Sequence, residues 1–165
     1  MNESSIQSRG AKGLLHRPNS HLLRRGRYSE TGRVYLVTAV VYQRRPVFTD
    51  LFLGRLLVAE LKRAHDLGLV ASLAWVIMPD HLHWMFELRD ATLPQVMQQV
   101  KSRSTLTINR NCCTRGAFWQ HGYHDRAARA EEDLVKIARY IIANPLRARL
   151  VEHIGDYSLW DATWL

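Results

Sequence analysis

Cysteine is nearly absent from this chain: two among 165 residues, adjacent as Cys112 and Cys113, where a mutual disulfide would be badly strained. This excludes a disulfide framework and fits a reducing compartment. With no further Cys to complete a ligand set, the pair reads as small hydrophobic filler rather than a metal site. No apolar run approaches the ~18 residues needed to span a bilayer, and the N-terminus lacks an uninterrupted signal-peptide core. Neither a membrane partner nor secretion is expected. The loop G-x-x-x-x-G-K-[ST] is missing, which argues against a nucleoside triphosphate cofactor, and so is the acidic cluster of a two-metal nuclease.

Acidic residues are also in deficit. Fifteen Asp and Glu face 23 Lys and Arg, giving a formal charge of +8 and a pI near 10.0. A surplus of this size favours polyanions, nucleic acid first, because Arg and Lys displace condensed counterions from phosphates. A basic surface that binds nothing is the plain alternative. Hydrophobic residues make up 47% of the chain and charged residues 23%, so a packed core is expected, and the length suits one domain. Residues 1–33 carry Arg9, Lys12, Arg17, Arg24, Arg25, Arg27 and Arg33 against Glu3 and Glu30 and read as a flexible basic arm ahead of a domain over 34–165. Such a leader also fits an organellar transit peptide, though Glu3 and a weak amphipathic pattern argue against it.

Within the domain, the β-branched run Val34 to Val41 predicts a buried strand. Leu53, Leu56, Leu57, Leu61 and Ala64 recur at helical spacing, with Thr49 or Asp50 as cap and Gly68 as stop. Ala71 to Met78 and Leu82 to Leu88, broken by Pro79-Asp80, predict a hairpin. A second helix is expected from about Leu93 to Arg110, capped by Thr92 and aided by Pro94, with a basic outer face. A short strand over Phe118 to Arg126 and a third helix from about Glu131 to Asn144 follow. The order strand, helix, strand, strand, helix, strand, helix is that of a ferredoxin-like antiparallel sheet (split βαβ) in the α+β class. Helices would lie on one side, with an extra C-terminal helix.

Two pairs of residues carry chemistry. In Asp80-His81-Leu82-His83-Trp84-Met85-Phe86, strand alternation projects both imidazoles to one face and Leu82, Trp84 and Phe86 to the other. Paired imidazoles on a central strand are a ready bidentate half of a metal site. By spacing alone they read as readily as two unrelated histidines. On the third helix, Tyr140 and Asn144 stand four apart on one face, at the flank of the apolar stripe. The structural alternative is a half-buried Tyr anchoring the helix and an Asn ending it before Pro145. Lys101, Arg103, Arg110, Arg115, Arg126 and Arg129 are available as phosphate contacts, and each is also an ordinary solvated charge.

The segments Y-L-V-T (Tyr35 to Thr38), M-P-D-H-L-H-W (Met78 to Trp84), F-W-Q (Phe118 to Gln120) and Y-I-I-A-N-P-L-R-A (Tyr140 to Ala148), in this order and spacing, resemble the REP-associated tyrosine transposases. These are single-tyrosine HUH endonucleases related to small insertion-sequence transposases. The resemblance runs from about Val34 to the C-terminus. It implies that His81, His83 and Asn144 ligate a divalent metal, Mg or Mn, and that Tyr140 becomes joined to DNA. It also implies a folded REP hairpin with a single-stranded flank as substrate. Where relatives often carry Asp-His, this chain has Asp125-Arg126.

On that reading the activity is metal-dependent nicking and rejoining of single-stranded DNA through a 5′-phosphotyrosine, with no nucleotide cofactor. The chain would work in the cytoplasm at the nucleoid, as a monomer or homodimer. A phenol, with a pKa near 10 in water, needs a base or the field of the metal to attack, and His121 and His124 are the candidate bases. Imidazoles by themselves favour Zn or Mn over Mg. One rival is a hydrolase acting through metal-activated water, for which the expected further carboxylate is replaced by Met85. The other is a hairpin-DNA binding protein that does not cut.

Overall fold

Val34–Val40 forms β1 because its β-branched side chains pack on both faces of a pleated strand. Tyr35, Val37 and Ala39 are buried toward one layer of helices, and Leu36 and Thr38 face the other way. The computed structural model describes residues 29–129 and 132–164. The expected arm up to residue 28 lies outside them. Residues 29–33 are hydrogen bonded to the domain: Leu93 N donates to Ser29 Oγ, Glu30 N to Tyr35 Oη and Gly32 N to Leu88 O.

Helix α1, Leu51–Asp66, begins where the Asp50 carboxylate accepts from Phe52 N and Leu53 N, the usual remedy for unpaired donors at a helix start. It buries Leu53, Leu57, Leu61 and Ala64. It ends before Gly68, whose φ of 70° only glycine adopts readily. Strands β2, Val70–Met78, and β3, His81–Leu88, are joined by the two-residue turn Pro79-Asp80. Helix α2, Leu93–Asn111, starts with a reciprocal Thr92/Gln95 capping box. Strand β4, His124–Ala127, helix α3, Leu134–Ile142, the single turn α4, Asn144–Arg147, and strand β5, Trp160–Ala162, complete the chain.

The sheet order is β4-β1-β3-β2-β5, with every pair antiparallel. The first four strands follow the ferredoxin-like order that the element sequence predicts. The two faces carry separate cores. Helices α1 and α2 cover Leu82, Trp84, Phe86 and Leu88 of β3. On the opposite face α3 packs Ala138, Ile141 and Ile142 on Ala74, Val76, Met78 and Met85. The histidine face is therefore half roofed: α3 lies over β2 and β3, while β4 on the far side forms the edge of the sheet.

Three boundaries differ from the sequence expectation. The strand expected over 118–126 reduces to β4 and one isolated bridge, Trp119 to Val41. The Lys101 ammonium donates to the carbonyls of Gln120 and Gly122, and Gly122 turns at φ 79°, so a side chain takes the place of a ladder there. The third helix is shorter than expected: Asp133 caps it by accepting from Lys136 N, and it stops at Ile142 because Pro145 cannot continue the bonding pattern. Strand β5 has no counterpart in the sequence reading. It adds to the free edge of β2.

Candidate catalytic site

Register places His83 beside Thr38 of β1 and Val76 of β2, and His81 beside Val40 and Met78. Paired residues of an antiparallel sheet share a face, so both imidazoles stand on the α3 side. Their Nε2 atoms are 3.1 Å apart, with the ring planes at 86°. Each Nδ1 has its own partner. His81 Nδ1 lies 2.6 Å from Asp80 Oδ1 and His83 Nδ1 lies 2.8 Å from Thr38 Oγ1. A carboxylate only accepts, so the His81 Nδ1–H donates to Asp80, and its Nε2 faces that of His83.

Asp80 is itself fixed, since Arg44 Nη1 donates to its second oxygen at 3.0 Å. Burial works to raise the Asp80 pKa, but the hydrogen bonds from His81 and Arg44 outweigh it and hold the carboxyl below its ordinary value. Arg44 reaches it from a backbone in the left-handed region: Gln43 and Arg44 have φ of 57° and 52°, a conformation uncommon for residues with a Cβ. Burial first, then the charges of His81 and Arg147, lower the His83 pKa to about 4. That ring is neutral at physiological pH, the form that can ligate a metal.

This donor set fits a divalent ion. An ion about 2.1 Å from each Nε2 would see nitrogens separated by 3.1 Å at roughly 95°, close to the right angle between neighbouring octahedral ligands. Both Nδ1 atoms already have the hydrogen-bond partners that orient metal-bound histidines. Among the described residues no group of three or more His, Cys, Asp and Glu gathers around such a position. A further protein ligand would have to be of another type, as an Asn amide oxygen is.

Tyr140 and Asn144 lie on the helix covering this same face. Pro145 lacks the N–H that would bond to Ile141 O, and the Asn144 side chain supplies it: Nδ2 donates to Ile141 O at 2.6 Å and to Tyr140 O at 3.4 Å. The atom this commits is Nδ2, not the Oδ1 a metal would take. The Tyr140 side of the helix is open, with the residue 59% exposed, enough for a polymer to reach the phenol. Arg147, one helical turn beyond Asn144, lays its guanidinium 4.1 Å from the Tyr140 ring centroid. Its charge is also among those that depress the His83 pKa. One side chain therefore touches the phenol ring and contributes positive charge toward His83.

The other sequence candidates are more scattered. Lys101 is bound to the carbonyls of Gln120 and Gly122. Arg103 pairs with Glu60 of α1 at 2.8 Å. Both, with Arg110, belong to α2, on the layer away from the imidazoles. Arg115 is exposed in the loop after α2. Arg126 holds Glu132 through two contacts of 2.6 and 2.8 Å, and Arg129 donates its backbone N–H to the same carboxylate. A cavity of about 690 Å³ between α2 and residues 117–123 is lined by His121, Tyr123, Lys101 and Trp119 and contains none of the histidine-pair residues. His124, by contrast, is in register with Thr38 and so shares the face of His83. Sequence reasoning passed over Thr38, Asp80 and Arg147. Strand pairing alone reveals Thr38; Arg147, seven residues after Tyr140, was available from helical spacing.

Residues 31–144 match the family described as transposase, IS200-like. No curated protein matches the chain. Among solved structures, a REP-associated tyrosine transposase bound to a REP hairpin superposes with a TM-score of 0.66 at 20% identity, over 81% of this chain and 79% of that one. A candidate transposase from Deinococcus radiodurans R1 gives 0.51 at 19% identity, over 70% and 93%. Both likenesses concern the fold. Among the described residues no helix is long and apolar enough to cross a membrane. The family match spans well over half of the sequence, from the entry to β1 through Asn144 and thus across every residue of the histidine pair and its tyrosine, and on that ground the chain belongs to the IS200-like transposases.

Proposed function

We propose that the chain is a metal-dependent single-strand DNA endonuclease and strand transferase that cuts beside a REP-type hairpin through a 5′-phosphotyrosine on Tyr140. The observation that carries this reading is the shared face: two converging imidazole nitrogens on the sheet, and an exposed phenol on the helix that covers it. Family membership supports the DNA substrate. The REP hairpin held by the similar transposase supports the class of target.

His81, His83 and the Asn144 amide oxygen would hold the ion, Mg2+ or Mn2+, which when bound polarises a phosphodiester and offsets the charge that develops on it. Asp80 and Thr38 orient the two rings so that both Nε2 atoms stay available. Tyr140 Oη attacks phosphorus as its proton leaves, an O–P bond forms, and the bond from phosphorus to the 3′ oxygen breaks, that oxygen taking up a proton. The new diester retains the energy of the old, so a 3′-hydroxyl can reverse the step without a nucleotide.

The test is a labelled single-stranded REP hairpin incubated with the protein and Mn2+. The expected product is a denaturant-resistant protein-DNA adduct that Tyr140→Phe does not form. An adduct in that variant would move the nucleophile elsewhere. Nicking without an adduct would indicate a hydrolase, and binding without cleavage a passive hairpin-binding protein.

A further inference from the structure

Arg147 differs from several other arginines of the domain. The guanidiniums of Arg33, Arg44, Arg103 and Arg126 each meet a carboxylate. The Arg147 guanidinium has no ion pair or hydrogen bond to any described residue and rests instead over an aromatic face, 4.1 Å from the Tyr140 centroid. A cation held over a ring face uses none of its N–H donors in hydrogen bonds. Those donors form a fork suited to two oxygens of one phosphate. Burial cannot explain the arrangement, since Arg147 and Tyr140 are both exposed.

Helical spacing sets the pair up. Tyr140, Asn144 and Arg147 fall at i, i+4 and i+7, on one side of the helix that the Asn144 amide carries past Pro145. The neighbouring groups on the sheet are His83, hydrogen bonded to Thr38, and His81, hydrogen bonded to Asp80. Asp80 is already neutralised by Arg44. Of the two arginines at this site, Arg44 meets a carboxylate and Arg147, beside the phenol, meets none.

Resting on the function proposed above, we infer that Arg147 is the phosphate clamp of the site: its stacked guanidinium holds the Tyr140 ring in place while its free N–H fork grips the scissile phosphodiester. The same fork would retain the phosphotyrosine diester until the 3′-hydroxyl returns. Ring and phosphate are thereby positioned by one side chain, and in-line approach does not depend on the exposed tyrosine finding its own rotamer.

The experiment compares full-length wild type with Arg147→Ala and Arg147→Lys on a REP hairpin carrying a single-stranded flank, in Mn2+. Two quantities are read, the rate of adduct formation and the equilibrium Kd. Arg147→Ala should slow the adduct about 100-fold, the usual loss for one oriented donor at a transition state. Its Kd should stay within about threefold, as for one contact among many along a nucleic-acid backbone. Arg147→Lys should recover part of the rate, since it keeps the charge but loses the stacked fork.

A methylphosphonate at the scissile position, which removes the charged oxygen, separates a clamp from a merely structural residue. With it, the gap between wild type and Arg147→Ala should close. A gap that persists on the neutral linkage, or an Arg147→Ala adduct rate equal to wild type, overturns the inference and leaves the functional reading standing. A wild type that forms no Tyr140-dependent adduct overturns both.

Discussion

The two imidazoles are held by unequal partners, and this sets what each neighbour can contribute. Asp80 accepts from His81 and is itself pinned by Arg44, whereas Thr38 meets His83 with a neutral hydroxyl that can donate or accept. For both Nε2 atoms to present lone pairs to one ion, Thr38 must accept from His83 Nδ1–H. Valine at 38 removes that acceptor while keeping the shape. Asp80→Asn and Thr38→Val should each weaken Mn2+ binding by about 10- to 100-fold, the usual effect of losing an outer partner, as measured by titration calorimetry. Affinities equal to wild type would show that the rings need no such support. On the proposed function Asn144 has two separable roles, because its Nδ2 mends the helix and only its Oδ1 would be left for an ion. Asn144→Ala should therefore cost about 1 kcal/mol in denaturant unfolding even without metal. A stability unchanged from wild type would mean that water replaces the amide at Ile141. Of these residues the histidines, Tyr140 and Asn144 were singled out in the sequence, where spacing put each pair on one face and the family resemblance gave them their expected roles. Thr38 is 45 positions from its partner, and only pairing between β1 and β3 brings the two together.

Elements were legible where local chemistry decides them. Asp50, Thr92 and Gly68 mark the ends of α1 and α2 because caps act over three or four residues, and Pro79-Asp80 marks the hairpin for the same reason. The C-terminal stretch was opaque because its structure is decided by distant partners. Leu159 packs in the α1 layer, Tyr157 donates its hydroxyl to Ile77 O at 2.6 Å, and β5 adds to β2. Gly54 is where this return is most closely fitted. A Cβ there would collide with the Leu159 side chain, which is itself buried. Gly54→Ala gains helix propensity on α1, about 1 kcal/mol, but forces Leu159 out of its packing at about 1–3 kcal/mol. We expect a net fall in Tm of a few degrees, and a rise would show that Leu159 moves freely. The loop over 117–123 is likewise tied to α2 by a buried contact, Trp119 Nε1 to Ser104 Oγ at 3.0 Å. Ser104→Ala leaves that indole unpaired and should cost about 1–3 kcal/mol in chemical denaturation, whereas a loss below about 0.5 kcal/mol would mean that the indole finds another acceptor.

At the scale of the whole molecule the charge is unevenly divided. Residues 1–33 hold seven Arg and Lys against two Glu, five of the eight net positive charges in one fifth of the chain. In the folded domain many cations are already matched by carboxylates, as Arg44, Lys62, Arg103 and Arg126 are. Non-specific affinity for a strand follows the number of phosphates neutralised, so the N-terminal cations should supply a large part of it, separately from the chemistry at the histidine pair. Replacing Arg24, Arg25 and Arg27 by Gln should flatten the plot of log K against log salt by up to about 2, at roughly 0.7 per single-strand phosphate contact. His83→Ala should leave that slope unchanged while abolishing adduct formation. An unaltered slope in the triple variant would place the phosphate contacts on the domain itself, where the cations free of partners would have to provide them. A slope that falls in His83→Ala would make the imidazole part of the binding surface rather than of the metal site. The two variants together test whether holding the strand and cutting it are physically separate tasks in this chain.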